Sequence, residues 1–497
     1  MSIESLKTTL ESLMKKVESA GEMKFREIDQ LHPDQRMSGI NLIQYLALRK
    51  EELRSLQDEL HVSGLSSLAS SESHILRQIQ EILQRLGTAF EPDKISKCDY
   101  FTGRNLIDFR AKQLFGTKRS EKIPYLMVTF DADFVDRFQL VKKLLETGMN
   151  VARINCAHDN EDVWQNMIEL LHAASEKTGI PCKVYMDLGG PKMRTVILGK
   201  GRLKGQVTIS ENNEVILAEK DSDYDPSEIV IGCDEPGIVR QVNPGERVLF
   251  DDGLIETEVK STQGGIAILN IKRISAGKPK FKEKKGINFP DTQLSLSALT
   301  ETDRLALPFI CQHADLVGYS FIRRANELKE LQAVLNQFDK RPNIVLKIET
   351  AEAVSNFPAL LMQGMIDFVF GVMIARGDLA VEIGFERLSE IQEEILWISE
   401  AGHVPVIWAT QVLETLNKHG IATRSEITDA AYAAQSECVM INKGDYVIKV
   451  IKTLSDILQR SGGHHVKKRY TFRPMQIARN YFEPYESRNQ GKSFEPV

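Results

Sequence analysis

The sequence predicts an α/β protein built on a TIM-type (β/α)8 barrel, with an all-β domain inserted after the third strand and a helical extension at the N-terminus. Three observations carry this expectation. From residue 123 onward, short apolar runs without internal alternation recur between amphipathic helical stretches, the pattern of parallel strands buried on both faces. Around 198–280 that rhythm stops and gives way to Val-, Ile-, Thr- and Gly-rich segments punctuated by turn residues. Before residue 117 the apolar residues fall instead at three- and four-residue steps, as on one face of a helix.

The expected divisions are a helical extension over 1–117, the barrel over 118–197 and 283–462, the inserted β domain over 198–282, and an irregular tail over 463–497. In the extension, Leu6, Leu10, Leu13 and Val17 form one stripe, and Tyr45 and Leu46 follow Leu42. A third stripe over 73–86 holds Ile75, Leu76, Ile79, Ile82, Leu83 and Leu86. Such stripes are packing surfaces, suited to docking on the barrel, to a partner or to an oligomer. The first strand is expected at Tyr125–Phe130, the second at 150–155 and the third at Lys183–Asp187, which runs into Gly189-Gly190-Pro191. The insertion carries turn signals at Glu211-Asn212-Asn213, Pro244-Gly245 and Asp251-Asp252-Gly253. An insertion at a protruding barrel loop is placed to act as a lid over the strand ends.

After Lys285-Gly286 the βα rhythm resumes, with a helix from Thr300 through Cys311 and strand four at Leu316–Tyr319. Strands five and six are expected at 344–348 and 368–374, joined by one short helix. Phe385, Leu388, Ile391, Ile395 and Ile398 mark the next helix, followed by strand seven at 404–408 and strand eight at Cys438–Ile441. Thr423-Arg424-Ser425-Glu426 has the form of a capping box, which assigns Glu426 to helix capping rather than to chemistry.

A formal charge of -6 argues against a general nucleic-acid binder, and the cluster Lys282, Lys284, Lys285 reads as a solvated face. The six cysteines are scattered with no Cys-x-x-Cys pair, so neither a disulfide framework nor a zinc site is indicated. The first residues are charged throughout, unlike a signal peptide, and no apolar run approaches membrane-spanning length. These features lead to the expectation of a cytoplasmic protein with neither nucleic acid nor membrane as partner.

In such a barrel, catalytic side chains gather where the strands end. Arg153 and Asn155 close strand two, Asp187 closes strand three, and Ser320 with Arg323 follows strand four. Lys347 and Glu349 follow strand five, Asp378 follows strand six in a Gly-Asp turn, and Thr410 with Gln411 follows strand seven. Any one of these could be a satisfied structural polar group. Together they set arginines, a lysine and a carboxylate pair around one mouth, which suits a phosphorylated, carboxylated small molecule held through a divalent cation.

Four motifs then point to a family. LKIET from Leu346, IARGDLAVEI from Ile374, PVIWATQVLETL from Pro405 and TRSEITDAA from Thr423 resemble pyruvate kinase, in order and in approximate spacing, over about 125–458. The resemblance implies phosphoryl transfer from phosphoenolpyruvate to ADP, giving pyruvate and ATP, in a homo-oligomer. It implies catalytic roles for Lys347, Arg153 and Thr410. Ala375, Arg376, Gly377 and Ser320 would bind substrate. Asn155, His158, Arg194 and Lys285 would serve the nucleotide, and Glu349 and Asp378 would hold Mg2+ or Mn2+.

The sequence also departs from that family. The chain ends soon after the eighth unit, so the family's C-terminal regulatory domain is expected to be absent. The loop after strand eight shortens to Asn442-Lys443-Gly444-Asp445, and Phe130-Asp131-Ala132-Asp133 replaces a usual Gly-Pro turn. Around the family's potassium site, Ala157 and Leu188 lack the usual hydroxyls, and Lys192 stands where potassium-dependent members carry glutamate. Lys192 is therefore expected to substitute for the monovalent cation, with K+ not required. Two other readings compete: a divalent-metal aldolase or lyase of pyruvate-like substrates, and a catalytically reduced scaffold that binds a partner through its N-terminal helices.

Overall fold

A computed structural model of the chain describes residues 2–118, 120, 123–275, 277, 279–462, 465–466 and 469–470. Eight parallel strands close into a barrel: Tyr125–Phe130, Val151–Asn155, Lys183–Asp187, Leu316–Tyr319, Asn343–Ile348, Gly371–Ala375, Val406–Ala409 and Cys438–Ile441. Strand one pairs with both strand two and strand eight, which completes the ring. Most of these strand residues are buried, as expected for short apolar runs covered by helices outside and packed side chains within.

Two details of the sequence expectation change around strand six. The strand begins at Gly371 rather than at 368, and Phe368 remains partly exposed below it, edge-on to His32 and Phe109 of the N-terminal region. The apolar run therefore begins before the strand, and its first ring packs against a different partner. The segment before the strand holds two short helices, Ala351–Ser355 and Phe357–Gly364; Thr350 caps the first, and Pro358 suits the first turn of the second.

The insertion forms a seven-stranded sheet and a two-stranded sheet. Its outermost strands, Thr195–Ile197 and Ile287–Asn288, are the chain's way in and out, so the sheet includes residues before Leu198 and after Lys282. The central hairpin, Ile255–Gln263 with Ile266–Ile274, alternates buried and exposed side chains over a core that includes Leu217, Val248, Phe250, Leu269 and Phe281. The expected turns appear where side chains or glycine tolerate positive φ, at Asn212, Gly245 and Asp251-Asp252-Gly253.

The N-terminal helices Ile3–Met23, Arg36–Arg49, Arg54–Val62, Ile75–Arg85 and Tyr100–Phe115 dock on the barrel. The last of these closes its floor. Leu114 and Phe115 pack with Tyr125, Val151, Leu316, Val345 and Cys438, and a Cβ at Gly371 would come within 3.0 Å of Leu114. Arg110 donates to the carbonyls of Gly402, His403 and Asp34, while Asn41 donates to those of Glu72 and Ala401. Of the tail expected to be irregular, His465–Val466 pairs antiparallel with Arg469–Tyr470, and the remainder of 463–497 lies outside the described residues.

Candidate active site

The carboxyl ends of strands two, three and five point three charged side chains into one buried cluster. Arg153 donates through Nε to Asp187 Oδ2 at 2.6 Å and through Nη1 to Thr129 Oγ1 at 3.0 Å. Asp187 also accepts from the Tyr185 hydroxyl at 2.7 Å and lies 3.7 Å from Lys347 Nζ. Burial pushes the Asp187 carboxyl up, but Arg153 and Lys347 override it and hold it below the ordinary aspartate value. Burial likewise works against the Lys347 ammonium; Asp187 and Glu349 outweigh it and keep the group above the usual lysine value. Lys347 thus stays charged, ion-paired to Glu349 at 3.1 Å and donating to Ser320 Oγ at 2.7 Å. Ser320 Oγ in turn donates to the Leu188 carbonyl at 2.6 Å, tying strand four to the loop after strand three.

Tyr185 and Gly318 belong to this cluster, although the sequence reading passed over both. A Cβ at Gly318 would stand 2.0 Å from Asp187 Oδ1 and 2.1 Å from the Tyr185 hydroxyl, so only glycine leaves space for that pair. The available signal was Tyr185 standing two residues before Asp187 in a strand, which puts both side chains on one face.

Glu349 accepts from the backbone N–H of Phe321 at 2.6 Å. Burial raises its carboxyl above the usual glutamate value; Lys347 opposes that shift and the Asp378 charge adds to it. The two carboxylates therefore feel each other across the exits of strands five and six. Asp378 lies in the first turn of the helix Arg376–Ile383, where a Gly-Asp turn was expected, and its Oδ1 receives Lys192 Nζ at 2.7 Å. Lys192 reaches it from the loop that leads into the insertion.

The result is a balanced mouth, with Arg153, Lys192 and Lys347 against Asp187, Glu349 and Asp378. A ligand carrying phosphate and carboxylate would unbalance it unless a cation came too. Among the described residues no group of three or more His, Cys, Asp or Glu side chains is placed to hold a metal. Two carboxylates are nonetheless a fitting set for magnesium, which usually keeps waters and takes the rest of its ligands from substrate oxygens.

Other residues expected at the site divide clearly. Thr410 accepts from the Gly377 N–H at 2.8 Å, leaving its own hydroxyl proton free to point elsewhere. Thr410 and Gln411 both have positive φ, 64° and 55°, uncommon outside glycine and rarest for β-branched Thr410, and of the kind found at functional sites. The Arg376 side chain turns away from the mouth: it bonds the carbonyls of Ala409 and Thr410, pairs with Asp429 and lies over the Trp408 ring. Only its backbone remains at the mouth, with those of Ala375 and Gly377. Arg323 is directed to the Leu294 and Leu296 carbonyls and to Glu327 rather than to the cluster.

The four residues expected at a nucleotide lie on two elements. Asn155 and His158 flank the turn after strand two, where Asn155 Oδ1 accepts from Ala157 N and His158 is exposed. Arg194 and Lys285 are on the neck of the insertion; Arg194 bonds the Lys192 carbonyl and Lys285 pairs with Asp251 at 2.9 Å. Glu426 caps its helix together with Thr423, as its sequence context indicates.

A family profile described as "Pyruvate kinase, barrel domain" matches residues 129–450. The chain belongs to the pyruvate kinase family. It is 32% identical over 331 residues to a pyruvate kinase of Dictyostelium discoideum, covering 64% of this chain and 62% of that relative. It is 31% identical over 329 residues to a pyruvate kinase of Geobacillus stearothermophilus, and 28% over 326 residues to one of Staphylococcus aureus. Each of those alignments takes in 64% of this chain and 54% of the relative, so the chain spans between about half and two thirds of the curated relatives it matches.

Proposed function

We propose that the protein transfers the phosphoryl group of phosphoenolpyruvate to ADP, giving pyruvate and ATP. The observation that supports this best is the Lys347–Glu349–Asp187 cluster beside Asp378, a fixed ammonium and a carboxylate pair at one barrel mouth in a pyruvate kinase barrel. A Mg2+ or Mn2+ ion bound by Glu349 and Asp378 would supply a hard Lewis acid that neutralises phosphate and carboxylate oxygens.

The chain's own groups do the rest. The backbone at Ala375, Arg376 and Gly377 opens a helix, and its N–H groups other than that of Gly377, which Thr410 holds, suit the substrate carboxylate. Arg153, fixed in place by Asp187 and Thr129, faces the transferring phosphoryl group. As the bond from the enol oxygen to phosphorus breaks and a bond from a β-phosphate oxygen of ADP forms, negative charge collects on the enolate oxygen. Lys347, positioned by Ser320, Glu349 and Asp187, stabilises that charge and needs little reorganisation to do so. The Thr410 hydroxyl, its oxygen already occupied by the Gly377 N–H, relays the proton to the methylene carbon. Asn155 and His158 on the barrel, with Arg194 and Lys285 on the lid neck, would meet the nucleotide when the lid closes.

Lys192 takes the part of a monovalent cation, because Ala157 and Leu188 have no side-chain oxygen to hold one. K+ is then unnecessary. The six cysteines are free, which accords with a reducing compartment such as the cytoplasm, and membership of the family is the ground for expecting a homo-oligomer. The test is pyruvate release from phosphoenolpyruvate, ADP and Mg2+, first with only a large organic monovalent cation and then with K+ added. Turnover without K+, raised less than about tenfold on adding it, is expected. No pyruvate under either condition would refute the activity, and a larger K+ activation would refute the role of Lys192.

A further inference from the structure

Both segments of the lid neck grip one short barrel helix. The outgoing segment does so through Lys192, in the loop just before the strand Thr195–Ile197; the Lys192 Nζ lies 2.7 Å from Asp378 Oδ1. The returning strand does so through Asn288, whose Nδ2 donates to Glu382 Oε1 at 2.8 Å. Asp378 and Glu382 are one turn apart on the helix Arg376–Ile383. One of the two clamps therefore closes on a carboxylate assigned to the divalent cation, and the other does not.

We propose that Lys192 is a displaceable counter-cation of Asp378, which a divalent ion must dislodge in order to bind, so that metal occupancy releases the outgoing clamp of the lid. The proposal rests on Glu349 and Asp378 being the divalent-cation ligands. The Lys192 ammonium now satisfies the Asp378 charge, and a dication on either oxygen of that carboxylate would sit in its immediate surroundings. Like charges at that range repel. Lys192 has somewhere to go: its side chain is 32% exposed and hangs from the loop beside Gly190, which has positive φ. Asn288 and Glu382 keep the returning strand attached, so the lid is loosened on one side rather than freed. The displaced ammonium is then available to anionic oxygens of the substrates. Lys192 acts here as a positioning residue, through Asp378 and through the neck.

Mn2+ binding to the substrate-free protein, read from the electron paramagnetic resonance signal of free Mn2+, tests this together with hydrogen exchange over 191–194 and 286–288. Lys192→Met should tighten Mn2+ binding by about tenfold, because the competing cation is gone, whereas Lys192→Arg should stay within about threefold of the parent. Mn2+ should speed exchange at 191–194 in the parent and change it little in Lys192→Met. Asn288→Ala, which breaks the other clamp, should loosen 286–288 and leave Mn2+ affinity unchanged. Unchanged or weaker binding in Lys192→Met overturns the proposal. So does equal tightening in Asn288→Ala, which would mean that a looser lid alone explains the gain. Glu349→Gln separates the two layers of the argument. If it binds Mn2+ as the parent does, the metal assignment fails and takes the proposal with it. If it weakens binding while Lys192→Met changes nothing, the displacement alone is wrong.

Discussion

At the floor of the barrel, buried polar side chains end on uncharged groups, mostly backbone carbonyls. Arg110 meets three carbonyls and Asn41 meets two, while His403, wholly buried with positive φ, sits between the Ser38 hydroxyl and the Ser73 carbonyl. At the mouth, Arg153, Lys192 and Lys347 end on Asp187, Glu349 and Asp378, which are side-chain charges. A carbonyl bond inside a sealed interface has no competitor, because water and ligands do not reach it. An ion pair at an open mouth can be exchanged for a substrate oxygen or a metal. The same barrel thus uses buried polarity as a fastening at one end and as an exchangeable charge set at the other. Substitutions at the two ends should accordingly separate stability from turnover.

The largest effect is expected at Lys347. Lys347→Met should lower kcat by a hundredfold or more, about 2.7 kcal/mol of barrier, with a smaller change in KM, because in the proposed reaction the ammonium would face charge that develops in the transition state. A normal kcat with a greatly raised KM would make Lys347 a binding group and blur the contrast between the two ends.

The opposite signature is expected at Arg110. Burial pushes its guanidinium down to about 10 despite the nearby Asp34, so the residue carries a desolvation cost that its three carbonyl bonds offset. Arg110→Met would leave those carbonyls buried and unpaired, lowering stability by about 2 kcal/mol in a denaturation experiment while kcat of the folded enzyme stays within about twofold. A large kcat loss without a stability change would show that the floor is part of the catalytic machinery.

A smaller effect lies between the two ends, at Glu382 under the lid neck. Burial, with help from Asp378 and Asp291 and against the Asn288 hydrogen bond, raises its carboxyl to about 7 from an ordinary value of 4.5. The folded protein then binds this proton more tightly than the unfolded chain. Glu382 therefore favours the folded state most below pH 4.5, and that contribution is lost as pH rises through 7. Glu382→Gln, which can still accept from Asn288, should flatten the decline in melting temperature over this window. An identical pH profile in parent and variant would place the titration elsewhere.

How much of this the sequence carried follows from the range of the interactions. The barrel strands are legible because a strand covered on both faces must be a short apolar run, and the insertion because its turns need Asn, Asp or Gly at positive φ. Lys347, Glu349, Asp378 and Thr410 are legible because their positions follow directly from the strand ends. What stays hidden is pairing across distance. Nothing local to Asn41 announces the Ala401 carbonyl, and nothing local to Lys192 announces Asp378, 186 residues away. Gly318 reads as a strand blemish until the Asp187–Tyr185 bond is seen to fill its missing Cβ. Arg323 shows the converse error, since its place after strand four suggests the mouth while the Leu294 and Leu296 carbonyls and Glu327 draw its side chain away.

The central claim is that phosphoryl transfer takes place at the carboxylate pair between strands five and six. It is tested most directly by titrating Mg2+ against pyruvate formation from phosphoenolpyruvate and ADP in the parent, Glu349→Gln and Asp378→Asn. Turnover is expected in the parent, and in each variant a large loss of rate together with a shift to higher Mg2+. Both variants retaining the parental rate and magnesium dependence would contradict it.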